Sequence, residues 1–250
     1  MHRNADMDWD AFDPAQYVAH NYASLRRDDQ RLITLTRDWF AFAGLPTAAA
    51  RGLDVGTGSN LYPALAMLPH CRDVTLWEYS RSNIAWLETE VAAYSRHWDA
   101  GWGVLAESPG YRDLGDPRFE LARRARIVQG SVYGLPAATW DLGTMFFVAE
   151  SISQVFGEFR AAVTAFASAL KPGAPFAAAF VENSEGYAVA GKSYPAVAVT
   201  RAMVRDALVG LTDGLTVERI EPIGEKFRDG YTGLLLACGR IGREGGAEPC

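Results

Sequence analysis

The stretch RGLDVGTGSNLYPALAML, residues 51–68, joins a short apolar run to an aspartate and to two glycines that are one residue apart. The apolar run predicts a buried strand over residues 51–55, and the residues after the turn predict a helix. Because glycine has no Cβ, the turn Gly56-Thr57-Gly58 can bend sharply and let a ligand approach the backbone closely. In an open parallel sheet, ligands bind at the carboxyl ends of strands, so this turn is a candidate ligand site.

Leu61, three residues past this turn, distinguishes two kinds of ligand. A dinucleotide fingerprint has a third glycine, which allows close helix packing beneath a pyrophosphate, but Leu61 occupies that position here. The turn therefore favours a nucleoside with an amino-acid tail over a diphosphate. Glu78 lies 20 residues past Gly58, at the end of the next predicted strand. A carboxylate there can accept both ribose hydroxyls, which indicates ribose without choosing between the two cofactor types.

Alternating strand and helix patterns surround the turn and predict an α/β fold with a parallel sheet and helices on both faces. Two helices are predicted between residues 14 and 43, ended by Gly44 and Pro46. Later strands are predicted over 73–79, 127–129, 140–148, 175–181, 216–222 and 231–239, and helices over 61–68, 81–97, 155–170 and 200–211. No helix separates the last two strands, so they must pair antiparallel, unlike the end of a six-stranded dinucleotide fold.

Composition narrows the classes of partner. The 250 residues suit one domain with a sizeable core, or a domain with an N-terminal addition. A net charge of −6 without a long basic block disfavours a nucleic-acid partner. Three distant cysteines and four scattered histidines give neither a disulfide framework nor metal-ligand spacing. The acidic N-terminus argues against a signal peptide, and the apolar runs are too short to span a bilayer, so we expect a cytoplasmic protein without a membrane partner. The first half-dozen residues and the tail after residue 242 resemble loose ends.

Four motifs together resemble a known family. The turn LDVGTGSNLY followed by DVTLWEYSRSN is similar to the S-adenosylmethionine-dependent class I methyltransferases. More narrowly, the chain resembles the nicotinamide, phenylethanolamine and indolethylamine N-methyltransferases. FDPAQYVAHNY (residues 12–22) resembles the lid of that branch, EYSRSN its Asp-Tyr-Ser-x-x-Asn, AESIS (residues 149–153) its Leu-Glu-Ala-x-Ser, and YAVAGK (residues 187–192) its Tyr-Met-Val-Gly-Lys loop.

The resemblance implies a three-layer, Rossmann-like fold with a seven-stranded, mostly parallel sheet whose last strand is antiparallel. It implies a helical lid over residues 1–46, a methyltransferase domain over 47–240 with an insertion at 98–120, a tail over 241–250, and a monomer. The implied cofactor is S-adenosylmethionine, with S-adenosylhomocysteine as the product. Its implied binding residues are Tyr17, Tyr22, Gly56, Thr57, Gly58, Glu78, Tyr79, Ser80, Asn83, Ser131, Val132 and Phe147. The branch usually carries an aspartate where Ser131 or Val132 stands, and an aspartate in place of Glu78.

The acceptor residues follow from the chemistry of an amine nucleophile, which must be neutral to attack. A nearby carboxylate can bind the ammonium form and accept its proton. Glu150 matches the branch position that touches the substrate amine, although it could instead stabilise the start of the next helix. Glu182 and Asp229 could complete an acidic pocket or be surface charges, and Tyr187 would form a wall. The catalytic candidates are Glu150, which would accept the proton, and Tyr17, which would help to exclude water.

The sequence leaves several alternatives open. Trp98, Trp102 and Tyr111 of the insertion could stack on a planar acceptor or simply pack the insertion against the domain. An O-methyltransferase on the same fold would prefer a metal site or a base aimed at a hydroxyl, and no metal-ligand cluster is visible. A nicotinamide-dependent reductase is disfavoured by the missing glycine. A cofactor-binding protein without catalytic activity remains a further alternative. We expect a small-molecule methyl acceptor whose identity the sequence does not give.

Overall fold

The computed structural model describes residues 2–45, 47–223 and 228–242. Its main feature is a seven-stranded sheet in the order β3-β2-β1-β4-β5-β9-β8, beside a separate two-stranded hairpin, β6-β7. The strands are β1 (Ala50–Val55), β2 (Cys71–Glu78), β3 (Ala125–Gln129), β4 (Leu142–Phe146), β5 (Pro175–Glu182), β6 (Tyr187–Val189), β7 (Lys192–Tyr194), β8 (Thr212–Ile220) and β9 (Gly233–Ile241).

The pairing within the sheet confirms the predicted class of fold. The pairs β1-β2, β1-β4, β2-β3 and β4-β5 are parallel, whereas β9 is antiparallel to both β5 and β8. The chain runs outward from β1 to β3 and then returns to β4, so the strand order reverses between β1 and β4. The carboxyl ends of these two strands form the crevice in which such sheets bind ligands.

Helices cover both faces of the sheet. They are α1 (Pro14–Asn21), α2 (Arg27–Phe42), α3 (Tyr62–Met67), α4 (Arg81–Ala93), α5 (Trp98–Leu105), α6 (Pro109–Arg112), α7 (Pro117–Arg124), α8 (Phe156–Ala169) and α9 (Arg201–Leu208). One apolar core contains Phe40 and Leu65, and the other contains Phe159 and Phe166. Strand β5 is buried along its whole length, as expected for a strand that is covered on both faces. No helix within the described residues is both long and apolar enough to cross a bilayer.

Several predicted boundaries were wrong. The helix predicted over 81–97 ends at Ala93, because Tyr94 adopts a left-handed backbone conformation with φ +47°. The strand predicted over 140–148 is limited to β4, and the first of the two final strands begins at Thr212. The hairpin β6-β7 was not predicted. Pro46 and residues 243–250 lie outside the described residues.

The insertion at 98–120 is helical rather than a long loop, since it contains α5, α6 and the start of α7. Trp98 is fully buried, and its Nε1 donates to the Glu90 carboxylate at 2.7 Å. The hydroxyl of buried Tyr111 donates to the Ala66 carbonyl at 2.7 Å. Of the two roles left open, the structure supports packing, because these side chains fix the insertion against α3 and α4.

The first residues of the chain are not loose ends. They form two 3₁₀ turns, Asn4–Asp6 and Trp9–Ala11. The His2 amide donates to Gln154 Oε1 at 2.9 Å, and the Asn4 amide donates to Glu158 Oε2 at 2.9 Å. Residues 2–12, called the N-terminal segment, therefore lie along the loop that leads into α8 and the start of that helix.

Candidate active site

The glycine turn has a backbone that other residues rarely adopt. Gly56 has φ +61° and Gly58 has φ +54°, both in the left-handed region. A Cβ on Gly56 would lie 2.6 Å from the side chain of Val148. The Gly56 amide donates to the Trp77 carbonyl at 2.7 Å, which ties the turn to β2. The turn is therefore held open at the strand end by positions that only glycine fills without strain.

Glu78 is bonded directly to this turn. Its Oε2 accepts from the Gly58 amide at 2.8 Å, and its Oε1 accepts from the Ser80 amide at 2.8 Å and from Asn83 Nδ2 at 3.4 Å. Burial raises the pKa of this carboxyl, although the hydrogen bonds from Ser80, Gly58 and Asn83 oppose the shift. A carboxylate has about four lone-pair sites, and these three donors use three of them, so about one remains for a ribose hydroxyl.

Asp54 lies beneath the turn and is 1% exposed. One of its oxygens accepts from the Thr144 hydroxyl at 2.7 Å, and the other has no partner among the described residues. Burial raises the pKa of Asp54 to about 7, against the opposing effect of the hydrogen bond from Thr144. The side chain thus supports the turn from inside the sheet.

A cavity with an empty volume of about 880 Å³, part of it open to solvent, extends from the turn. The structure brings most of the predicted site residues to its wall, namely Tyr17, Tyr22, Gly56, Thr57, Gly58, Glu78, Tyr79, Asn83, Ser131, Val132, Phe147 and Tyr187. Residues from positions 17 to 187 therefore meet at the carboxyl edge of the sheet.

Ser80 does not line this cavity. Its hydroxyl oxygen accepts the Asn83 amide at 3.4 Å, which caps the start of α4 as predicted. The same hydroxyl donates to the Trp9 carbonyl at 2.8 Å. In this structure Ser80 therefore connects α4 to the N-terminal segment.

The three carboxylates predicted for the acceptor also lie off the cavity wall. Glu150 is fully buried, its Oε1 accepts from the Val181 amide at 3.0 Å, and burial raises its pKa to about 7. Glu182 accepts from Arg219 at 2.6 Å and from Thr232 at 2.8 Å, as part of a structural ion pair. Asp229 lines a separate outer groove. The expected acidic pocket does not form around this cavity, because these side chains are used within the fold or turned to another surface.

Aromatic rings form one side of the cavity. The rings of Tyr17 and Tyr22 are 5.9 Å apart, and those of Tyr17 and Tyr187 are 6.4 Å apart. Arg228 lies 4.3 Å from the centre of the Tyr187 ring and donates to the Tyr17 hydroxyl at 3.2 Å. This cluster, Tyr17, Tyr22, Tyr187 and Arg228, is called the aromatic wall below.

Sequence reasoning missed several lining residues. Asn4, Trp9 and Phe12 come from the N-terminal segment, and Arg228 comes from the chain just before β9. The aromatic residues at positions 9 and 12, next to a predicted lid helix, were an available signal. Arg228 gave none, because its position depends on distant partners: Ser151 is 77 residues away and Tyr17 is 211.

The residues present fit an adenosine-bearing ligand with an amino-acid tail. The glycine turn leaves its backbone accessible, Glu78 offers carboxylate oxygens, and Asn83 has a buried Oδ1 without a partner among the described residues. No group of three or more potential metal ligands occurs among the described side chains.

Comparisons with known proteins agree with this fit. Residues 3–232 match the model of the NNMT/PNMT/TEMT family. Phenylethanolamine N-methyltransferase from Macaca mulatta is 24% identical over 221 residues, which cover 79% of this chain and 76% of that protein.

Two solved structures share the fold. The N-methyltransferase NodS from Bradyrhizobium japonicum, in complex with S-adenosylhomocysteine, has a TM-score of 0.57 at 15% identity and covers 92% of this chain and 99% of its own. The [4+2]-cyclase SpnF has a TM-score of 0.56 at 15% identity, with 92% of each chain covered. A shared fold therefore does not fix the reaction. The family match extends over nearly the whole chain and includes the cavity, and the chain belongs to the NNMT/PNMT/TEMT family of S-adenosylmethionine-dependent methyltransferases.

Proposed function

We propose that this methyltransferase transfers the methyl group to the nitrogen of a small amine or N-heteroaromatic molecule by in-line displacement. The observation that carries the proposal is the continuous cavity, which extends from the glycine turn and Glu78 to the aromatic wall. The relationship to phenylethanolamine N-methyltransferase supports nitrogen as the acceptor atom.

S-adenosylmethionine supplies a methyl group that its sulfonium already activates, so the main task of the protein is to position the acceptor. Holding the nucleophile about 3 Å from the methyl carbon and in line with the leaving sulfur can provide roughly 7–11 kcal/mol of the barrier. The rings of Tyr17, Tyr22 and Tyr187 would hold a flat or apolar acceptor and exclude water. Tyr17 keeps the role expected from the sequence and seals the site. The role of Glu150 changes, because its side chain lies behind the wall and not on the cavity lining.

Glu150 would act through Ser151 rather than by touching the acceptor. The Ser151 hydroxyl is 3.3 Å from Glu150 Oε1 and accepts from Arg228 Nη1 at 3.0 Å. A carboxyl whose pKa is about 7 can hold or release a proton near neutral pH. Glu182 and Asp229 have no direct acceptor contact in this proposal.

The N-terminal segment and α1 would form the lid over residues 47–240. Four contacts support this closed arrangement. His2 bonds to the loop before α8, and Asn4 bonds to the first turn of α8. The Ser80 hydroxyl donates to the Trp9 carbonyl, and the Arg81 amide donates to Asp10 Oδ1 at 2.8 Å. Release of the product would require some of these bonds to break.

A turnover screen tests the proposal. Methyl-labelled S-adenosylmethionine is incubated with a panel of amines, N-heteroaromatics, phenols and catechols, and the atom that receives the label is identified by NMR. We expect label on nitrogen only. Methylation confined to hydroxyl oxygen, or binding of S-adenosylhomocysteine without turnover of any acceptor, would contradict the proposal. The variant Glu150→Gln should lower kcat/KM for the acceptor and leave the affinity for S-adenosylhomocysteine unchanged.

A further inference from the structure

The charge of the cavity wall is opposite to what an ammonium-binding pocket needs. Among the described residues that line the cavity, only Glu78 and Arg228 have charged side chains. Glu78 is bonded to the glycine turn, at the nucleoside end. The charged side chain on the aromatic wall is therefore a cation.

Arg228 is held rigidly. It is 8% exposed, its Nη1 donates to the Ser151 hydroxyl at 3.0 Å, and its Nη2 donates to the Tyr17 hydroxyl at 3.2 Å. Its guanidinium lies over the ring of Tyr187 at 4.3 Å. A cation fixed in this way is positioned before any acceptor arrives, so little side-chain entropy is lost on binding.

Arg228 also lines an outer groove, so it lies between that groove and the inner cavity. The groove has an empty volume of about 1690 Å³, is open to solvent, and shares Tyr187 as well as Arg228 with the cavity. An acceptor that enters from the groove would pass this pair.

The electrostatics select against one form of acceptor and favour another. A buried cation disfavours a second positive charge beside it, so an ammonium group near Arg228 is destabilised and a neutral nitrogen is favoured. A guanidinium also binds a carboxylate through strong, charge-assisted hydrogen bonds. The Tyr17 hydroxyl can donate to the same anion, because a hydroxyl that accepts one bond keeps its own proton to donate.

We propose that the methyl acceptor carries a carboxylate in the same small molecule as its nucleophilic nitrogen, and that Arg228 binds this carboxylate. The inference rests on the proposed N-methyl transfer and narrows its acceptor class. It differs from the acidic pocket expected from the sequence, since none of the three predicted carboxylates lies on the cavity wall. A purely structural Arg228 that only offsets the charge of Glu150 is the competing explanation.

Matched pairs of probes separate the two explanations. In the first pair, nicotinate carries a carboxylate and nicotinamide, which has nearly the same shape, does not. In the second pair, phenylalanine carries a carboxylate that phenylethylamine lacks. Binding of each probe to the complex with S-adenosylhomocysteine is measured by calorimetry, and methylation is measured with labelled cofactor. The proteins are the wild type and the variants Arg228→Gln, Arg228→Lys and Arg205→Gln. Arg205→Gln is the control, because Arg205 is exposed on α9 and does not line the cavity.

We expect the carboxylate member of at least one pair to bind the wild type at least tenfold more tightly than its uncharged partner. Arg228→Gln should abolish that difference, Arg228→Lys should retain part of it, and Arg205→Gln should match the wild type. Unchanged affinity for S-adenosylhomocysteine would show that the variants are folded. Equal binding of both members to the wild type, or an equal loss of both in Arg228→Gln, would overturn the proposal in favour of a structural arginine.

The same data distinguish this proposal from the broader one. If uncharged amines are methylated on nitrogen and no carboxylate is preferred, the anion site is wrong and N-methyl transfer stands. If carboxylates bind through Arg228 but only oxygen is methylated, the anion site stands and N-methyl transfer is wrong. If no probe of either class binds, both proposals fail.

Discussion

The two ends of the cavity are built in different ways. At the cofactor end, the glycine turn and Glu78 come from neighbouring strands, 20 residues apart, and backbone amides hold the carboxylate. At the acceptor end, Arg228 is held by side chains that lie 77 and 211 residues away. The first end depends on local backbone geometry, and the second depends on how the whole chain closes.

This difference explains why the two ends carry different information about function. Backbone groups at a strand end bind a constant part of the ligand, so a short motif suffices to define them. In our proposal, side chains from separate elements select the acceptor, so one substitution among them would change the charge that the acceptor must carry. The cofactor end is therefore typical of the family, whereas the acceptor class that we propose depends on Arg228.

The largest expected effect comes from breaking the cofactor end. Glu78→Ala should weaken the binding of S-adenosylhomocysteine at least tenfold, or about 1.4 kcal/mol, because the ribose acceptor is lost and the amides of Gly58 and Ser80 lose their partner. Calorimetry measures the affinity, and Glu88→Ala, at an exposed position on α4, is the control. Unchanged affinity in Glu78→Ala would refute the ribose assignment.

The buried carboxyl of Asp54 beneath the glycine turn predicts that the free energy of unfolding depends on pH. The pKa of Asp54 is about 7 in the folded protein and near its ordinary value of 3.8 in the unfolded chain. Its contribution to stability is therefore fully present below about pH 4 and is lost as pH rises through about 7. Asp54→Asn should reduce the fall in unfolding free energy between pH 5 and pH 8 by at least about 1 kcal/mol, in line with one pKa unit.

Denaturant titrations at several pH values measure this difference. Asp206→Asn, at an exposed position on α9, is the control and should keep the slope of the wild type. The same slope in Asp54→Asn would mean that the buried carboxyl does not titrate in this range.

The insertion should affect stability and not the site. Tyr111→Phe removes a buried hydrogen bond to the Ala66 carbonyl and should lower the free energy of unfolding by about 1 kcal/mol. The affinity for S-adenosylhomocysteine should be unchanged, because Tyr111 does not line the cavity. A smaller loss is expected for Tyr133→Phe, whose side chain is 41% exposed. A loss of affinity in Tyr111→Phe would give the insertion a part in binding.

The smallest expected effect is on kcat/KM and comes from removing one hydroxyl at the aromatic wall. Tyr17→Phe keeps the ring but removes the hydroxyl that accepts from Arg228, so kcat/KM for the acceptor should fall about threefold, as expected for one modest hydrogen bond. Tyr187→Phe, which loses only a 3.4 Å contact to the Ser151 carbonyl, should change kcat/KM less. Steady-state kinetics measure kcat/KM for both variants, and equal values would contradict this ranking.

The sequence by itself determined the sheet, its antiparallel last strand and the strand ends at which the glycine turn and Glu78 meet. Periodic apolar residues set strands and helices, and the glycines at 56 and 58 together with Glu78 have requirements that are local to the backbone. The resemblance to the family also indicated Tyr17 and Tyr22, which line the cavity. These features depend on few long-range contacts, so they can be predicted from local patterns in the sequence.

Only the tertiary structure decided which charged side chains face the cavity at the aromatic wall. Glu150 and Glu182 look like site residues in the sequence, yet one is fully buried behind the wall and the other pairs with Arg219. Arg228 has no motif around it, yet its side chain reaches the cavity through contacts with Ser151 and Tyr17. Whether a charge faces a ligand or a partner within the fold depends on which elements pack together, because burial and pairing are set by distant parts of the chain.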